Sequence, residues 1–236
     1  MKIQEIFSVK RIAFLGLFIA VVFVANRLNF SSVIGSEAQY FTLFQFFGPI
    51  AGAFLGPVFG AISVLGAQIA DYLIFGKAFT LINMIRLTPM VFAAIYFGSK
   101  RRYIGIAVPL VCMALFIANP TGRAAWLYAM FWWIPVIVKI LPKRYSDNLL
   151  LKSLGSTFTA HAVGSAAWMY AVPMAPEQWL MLIPVVVIER LAFTLGITGS
   201  YVVFNVVLDK MKASFRVPQD VLSIDRRYTI SYLLKS

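Results

Sequence analysis

Long apolar runs, separated by short polar and basic stretches, set the pattern of this chain. They cover 11–28, 41–75, 79–98, 103–119, 122–141, 149–170 and 178–208. Runs of about 17 to 25 apolar residues match the length of helix that crosses a bilayer. One run is too long. As a single helix, 41–75 would extend about 52 Å against a hydrocarbon core of about 30 Å. It contains GPIAGAFLGPVFG (48–60), in which Gly48, Gly52, Gly56 and Gly60 recur at every fourth residue. Splitting the run at Gly56-Pro57 gives two spans. Pro57 then falls in the first turn of the second, where its missing N–H is no loss. One kinked, tilted helix is the alternative. The glycine spacing makes a smooth face against which other backbones can pack.

The basic residues separate the two arrangements. Lys2, Lys10 and Arg11 mark a cytoplasmic N-terminus. Eight spans then put SKRRY (99–103), LPKRYSD (141–147) and DKMKASFR (209–216) on the cytoplasmic side, whereas seven put all three outside. Only the first agrees with the excess of Lys and Arg that cytoplasmic loops carry. The expected fold is all-α: a polytopic integral membrane helical bundle of about eight spans (six to eight), both termini cytoplasmic. Residues 1–208 form a single transmembrane domain and 209–236 a basic tail that lies on the membrane, meets a partner or stays loosely ordered.

Composition agrees. Of 236 residues, 61% are hydrophobic and 13% charged, where a soluble domain is nearer a quarter charged. The net charge of +12 follows from the cytoplasmic loops and implies a lipid bilayer, not nucleic acid, as partner. Cys112 is the only cysteine, so no intrachain disulfide forms, and with one histidine no usual zinc spacing exists. No metal or cofactor is expected. Lys10-Arg11 followed by IAFLGLFIAVVFVA has the outline of a signal peptide, but no convincing small-x-small cleavage site follows, and it is read as an uncleaved first helix.

Ionisable residues inside spans are expensive and therefore candidate site residues. Asp71 and Arg86 fall at similar depth on successive spans, where they can pair. His161 falls mid-span, and Glu189 and Arg190 lie at nearly the same depth on the last span. The last two are adjacent and point about 100° apart, so they are not expected to share one partner. Asn83, Gln68, Asn119 and Thr194 add neutral hydrogen-bonding groups. The first outer loop, NFSSVIGSEAQYF (29–41), brings Glu37 and Gln39 to the same side as a cover. Each has a bland alternative, a buried ion-pair network that only locks helices. Trp126, Trp168, Tyr170 and Trp179 fit an interfacial belt. Trp132 and Trp133 lie deeper, where an indole N–H needs a partner.

The chain has no Gly-rich phosphate loop ending in Lys-Ser/Thr, no G-x-S-x-G elbow and no HExxH, so catalysis and self-supplied ATP energy find no support. A short first helix, an outer loop, and then FTLFQFFGPIAGAFLGPVFGAISVLGAQIADYL, with Gly56-Pro57, Gly60 and Asp71, resemble the substrate-binding S components of energy-coupling factor transporters across residues 11–100. The resemblance implies a small-molecule, vitamin-like ligand held in an outer-half pocket under the first outer loop. It also implies a separate transmembrane coupling subunit with ATPases, docked on a small-residue face of the first helix, here Gly16-x-x-x-Ala20. The second half departs from the family, which has six spans. A ligand-free membrane scaffold or assembly protein is the alternative.

Overall fold

A computed structural model describes residues 9–25, 27–32, 40–215 and 224–229. The described chain is all-α, apart from one two-stranded ribbon near its N-terminal end. Three described helices are long and apolar enough to cross a membrane: Pro57–Ile74, Leu81–Gly98 and Ile183–Lys210. Phe44–Leu55, Arg102–Ala118 and Trp126–Ile140 are shorter apolar helices.

The first helix, α1 (Val9–Ala25), leads into the ribbon β1 (Asn29–Ser32) and β2 (Tyr40–Thr42). The strands pair antiparallel, with Asn29 opposite Thr42, Ser32 opposite Tyr40, and a bulge between. The long run then divides as the sequence suggests, into α2 (Phe44–Leu55) and α3 (Pro57–Ile74). Gly56 is the joint. Its φ of +82° and ψ of 165° suit glycine and strain any residue with a Cβ. Pro57 begins α3, where no intrahelical donor is needed.

The run 79–98, expected as one helix, is one apolar helical stretch, Leu81–Gly98, interrupted by a turn at Arg86-Leu87 that divides it into α4 (Leu81–Ile85) and α5 (Thr88–Gly98). Pro89 has no N–H for the carbonyl of Ile85, and the Thr88 hydroxyl donates to that oxygen instead, at 2.8 Å. After α6 (Arg102–Ala118), the run 122–141 is broken in the same way, into α7 (Pro120–Ala124), α8 (Trp126–Ala129), a 3₁₀ turn at Met130–Trp132 and α9 (Trp133–Ile140). The tightened turn lies just before Pro135, whose ring and missing N–H disfavour a regular helix there.

A short turn, α10 (Lys143–Ser146), precedes α11 (Leu149–Ala171), the centre of the molecule. It packs against α5, α6, α9 and α13 (Ile183–Phe215). Six of its buried side chains are polar: Ser153, Ser156, Thr157, Thr159, His161 and Ser165. Ser156 donates to the Ala93 carbonyl at 2.8 Å, and Thr198 donates to Ser153 at 3.0 Å. Two apolar clusters meet along this helix. One gathers Phe18, Phe54, Phe97 and Tyr201; the other gathers Phe116, Tyr128, Trp132 and Trp179.

The last run begins later and ends later than its apolar boundaries. The segment α12 (Pro176–Met181) is separate, and α13 continues to Phe215, past the expected tail boundary at 208. Residues 224–229 return to this helix. The Asp225 amide donates to Asn205 Oδ1 at 2.8 Å, and Tyr228 meets Tyr201 edge-on. Asp225 is pushed up by burial, but hydrogen bonds from the Arg227 side chain and amide outweigh this and hold its carboxyl below the ordinary value.

Candidate functional site

A cavity of about 520 Å³ lies between the ribbon, α3, α4, α11 and α13. It is lined by Asp71, Asn83, Arg86, His161, Glu189 and Arg190, six of the eight residues proposed from sequence. The other two, Glu37 and Gln39, fall outside the described residues. Gly16 and Ala20 stand apart, exposed on α1.

The pairings differ from those expected. Among the described residues Asp71 pairs with Lys77 and Arg27, not with Arg86. Lys77 Nζ is 2.5 Å from Asp71 Oδ2, and Arg27 Nη2 is 3.9 Å from Oδ1. The cause is local. At the end of α3 the chain reverses at Gly76 (φ +60°), and the Lys77 amide bonds back to the Tyr72 carbonyl. This returns the Lys77 ammonium over the last turn of the helix, beside Asp71. Arg27 is held there too, its guanidinium stacked 3.3 Å above the Phe75 ring. Arg86 lines the same cavity from the break between α4 and α5. The Asn83 side-chain amide donates to the Ala78 carbonyl at 2.8 Å, and the backbone carbonyl of Asn83 accepts from the Tyr72 hydroxyl at 3.1 Å.

Glu189 and Arg190 face the same cavity and pair with each other, Oε2 to Nη2 at 3.3 Å. Their helix positions diverge, but both side chains are long enough to bend together. Arg190 also reaches Thr157 Oγ1 at 3.5 Å and lies over the rings of Phe41 and Phe193, at 5.2 and 4.3 Å. The β2 strand thus covers this guanidinium with an aromatic face.

His161 contacts neither of them directly in the hydrogen-bonded sense. Its Nδ1 accepts from the Trp132 indole at 3.0 Å, and its Nε2 meets the Tyr128 hydroxyl at 2.8 Å. An indole N–H can only donate, so Nδ1 carries no proton and the neutral ring holds its proton on Nε2. That proton points to the Tyr128 oxygen. Tyr128 then gives its own proton to Ser165 Oγ, 3.1 Å away, which leaves the Ser165 proton to be placed. Tyr128 and Trp132 lie one helical turn apart in YAMFW, which sets both toward the same histidine.

Trp179 corrects the expected interfacial belt most plainly. It is 2% exposed, packed edge-on against Tyr128 and Phe116, and its Nε1 has no hydrogen-bond partner. Trp168 is also buried, whereas Trp126 and Tyr170 are exposed as a belt would require. The expectation failed because an indole near a helix end has the same sequence signature whether it turns outward or inward. Trp179, Tyr128, Ser165, Lys77 and Phe41 are among the lining residues that the sequence did not single out for the site.

No family model and no solved structure matches the chain. It is similar to an uncharacterized protein of Methanocaldococcus jannaschii, with 24% identity over 203 aligned residues covering 77% of this chain and 67% of that protein.

Proposed function

We propose that this protein is a membrane-embedded substrate-binding subunit for uptake of a small, vitamin-like nutrient, energised by a separate coupling subunit and ATPases. The carrying observation is the cavity of about 520 Å³, set among apolar helices and lined by both aromatic rings and charged side chains. Ligand pockets are typically about 300–1,000 Å³, apolar in the main, with a few placed polar groups. The resemblance of residues 11–100 to S components of energy-coupling factor transporters supports the same reading. In it, Gly16 and Ala20, exposed on α1, face the coupling subunit.

The test is mass spectrometry of the purified protein expressed in several media. A stoichiometric small molecule that recurs across preparations is the expected result. Its repeated absence would favour a ligand-free scaffold. The Asp71–Lys77 and Glu189–Arg190 pairs give that second reading its support, because each joins protein groups to one another.

In the same reading the eight apolar helical segments all cross the bilayer, the Gly56-Pro57 joint lies at the cytoplasmic face, and both termini are cytoplasmic. Cysteine labelling in a Cys112→Ala background checks this. Lys100 and Glu177 are both exposed. With an impermeant maleimide, Glu177→Cys is expected to react in intact cells and Lys100→Cys only after permeabilisation. Reaction of Lys100→Cys from outside would overturn the arrangement.

A further inference from the structure

Two loops at one end of the bundle carry cations for which the described chain supplies no counter-ion. SKRRY (99–103) leads from α5 into α6, and LPKRYSDN (141–148) leads from α9 into α11. They emerge side by side. Lys139, in the last turn of α9, donates to the Tyr96 and Ser99 carbonyls at the end of α5, each at 3.1 Å. Its stem fills the hollow at Gly105 of α6, where an added Cβ would stand 2.6 Å from the Lys139 Cε. The end of α9 is thus fixed against both helices that the first loop joins. Lys100, Arg101, Arg102, Lys143 and Arg144 are all exposed. Among the described residues none of the five takes part in a salt bridge, and Asp147 is the single acidic residue of the two loops. Cations elsewhere are spent within the chain: Lys77 on Asp71, Arg190 on Glu189, Arg227 on Asp225.

Two of the five are held in place by tyrosines. Arg101 Nη1 donates to the Tyr103 hydroxyl at 2.8 Å, and Arg144 Nη2 donates to the Tyr145 hydroxyl. Each bond uses one of the five N–H groups of a guanidinium. The remaining ones keep the fork that suits phosphate oxygens. Both tyrosine rings are exposed, as amphipathic rings at headgroup level are. The helices bring apolar side chains up to the same loops. Ile137 and Ile140 are exposed on the last turn of α9, and Leu150 on the first turn of α11. A soluble acidic partner would match the cations alone. A cationic rim that runs straight into exposed apolar flanks matches a molecule that is anionic at one end and apolar along the rest.

We infer that these two loops form a rim that retains anionic phospholipids, with headgroup phosphates on the five exposed cations and acyl chains against Ile137, Ile140 and Leu150. This rests on the reading of the chain as membrane-embedded and is independent of the cavity and its ligand. An excess of Lys and Arg in a loop sets the side of the membrane on which it stays. Loops brought together without counter-ions, between tyrosines and above apolar flanks, go further and select the lipid.

The experiment uses the full-length protein in detergent micelles that contain phosphatidylglycerol and phosphatidylcholine in equal amounts, and the retained lipids are counted by native mass spectrometry. Phosphatidylglycerol is expected to be the retained lipid, and its advantage should shrink as salt is raised to about 0.5 M, because exposed charges are screened. Arg101→Gln combined with Arg144→Gln is expected to lower the preference about fivefold for each charge removed. If that variant does not fold, Lys100→Gln combined with Lys143→Gln carries the same expectation. Arg123→Gln combined with Lys210→Gln removes two exposed charges from other helices and is expected to leave the preference unchanged. Equal loss in this control pair would overturn the rim in favour of net charge alone. Equal retention of the two lipids by the wild type would overturn lipid selection, while a protein folded in these micelles keeps its place in the membrane. Displacement of the retained lipid by poly-glutamate would overturn the lipid and make an acidic protein the occupant. A chain that stays monomeric without detergent would overturn the membrane reading and this inference with it.

Discussion

Gly52→Val is expected to leave little folded protein, and Gly52→Ala to lower the melting temperature markedly. Gly52 lies where α2, α3 and α5 touch backbone to backbone. A Cβ there would collide with the carbonyl oxygen of Ala94 and approach the Gly98 amide nitrogen to 3.1 Å. A Cβ on Gly98 would collide in return with the Gly52 carbonyl, and one on Gly60 would stand 2.5 Å from the Gly52 Cα. Overpacking against side chains costs about 1–3 kcal/mol, because side chains can rotate away. Here the obstacles are main-chain atoms of packed helices, which can yield only by moving whole helices apart. The loss for Ala is therefore expected at or above about 3 kcal/mol. Gly66 is the control. It is exposed, and nothing stands within 4 Å of its added Cβ. Gly66→Ala should be neutral or gain up to about 1 kcal/mol of helix propensity. Equal melting of Gly52→Ala and Gly66→Ala would refute the close crossing.

Lys77→Met is expected to be the most damaging single change at the cavity. Asp71 has a side chain 3% exposed, and its Oδ1 has no hydrogen bond. Lys77 is its close partner; Arg27 is farther, at 3.9 Å, and nearly half exposed. Removing one member of a buried pair costs about 3–5 kcal/mol, since a desolvated charge is left behind. The Lys77 side chain is 41% exposed, so water re-enters in part and the low end, about 3 kcal/mol, is the expected loss. Asp71→Asn combined with Lys77→Met removes both charges. The double variant should recover more than half of that loss in a thermal-melt cycle. A double variant no more stable than Lys77→Met alone would mean that the pair is not what Lys77 contributes.

How far the sequence carried these conclusions depended on the range of the interaction. The hairpin at Gly56-Pro57 was legible because a helix has a finite length, proline has a preferred place in it, and the basic stretches demanded one more crossing. The cavity residues Asp71, Arg86, His161, Glu189 and Arg190 were legible because each is an ionisable group in an apolar run. Their partners were not. Lys77 lies outside the run and reaches Asp71 only through the reversal at Gly76. Trp132 was recognised as needing an acceptor, but nothing local points to His161, 29 residues away. The breaks before Pro89 and Pro135 were visible as prolines, yet the distance over which each disturbs its helix is set by neighbours such as Thr88 that take up the freed carbonyl.

The polar, largely buried α11 has a consequence for how the chain is made. Taking the bundle as membrane-embedded, Leu149–Ala171 must leave the translocon carrying six serine, threonine and histidine side chains that the finished molecule hides. Such a segment partitions poorly into lipid by itself. Its hydroxyls at Ser156 and Ser153 are met by Ala93, synthesised well before it, and by Thr198, synthesised after it. Entry of α11 is thus tied to helices already delivered, and its settling waits for α13. Nascent chains arrested between Ala171 and Thr198 should hold this helix only half sheltered, the stage of synthesis at which quality control has a polar segment to grasp.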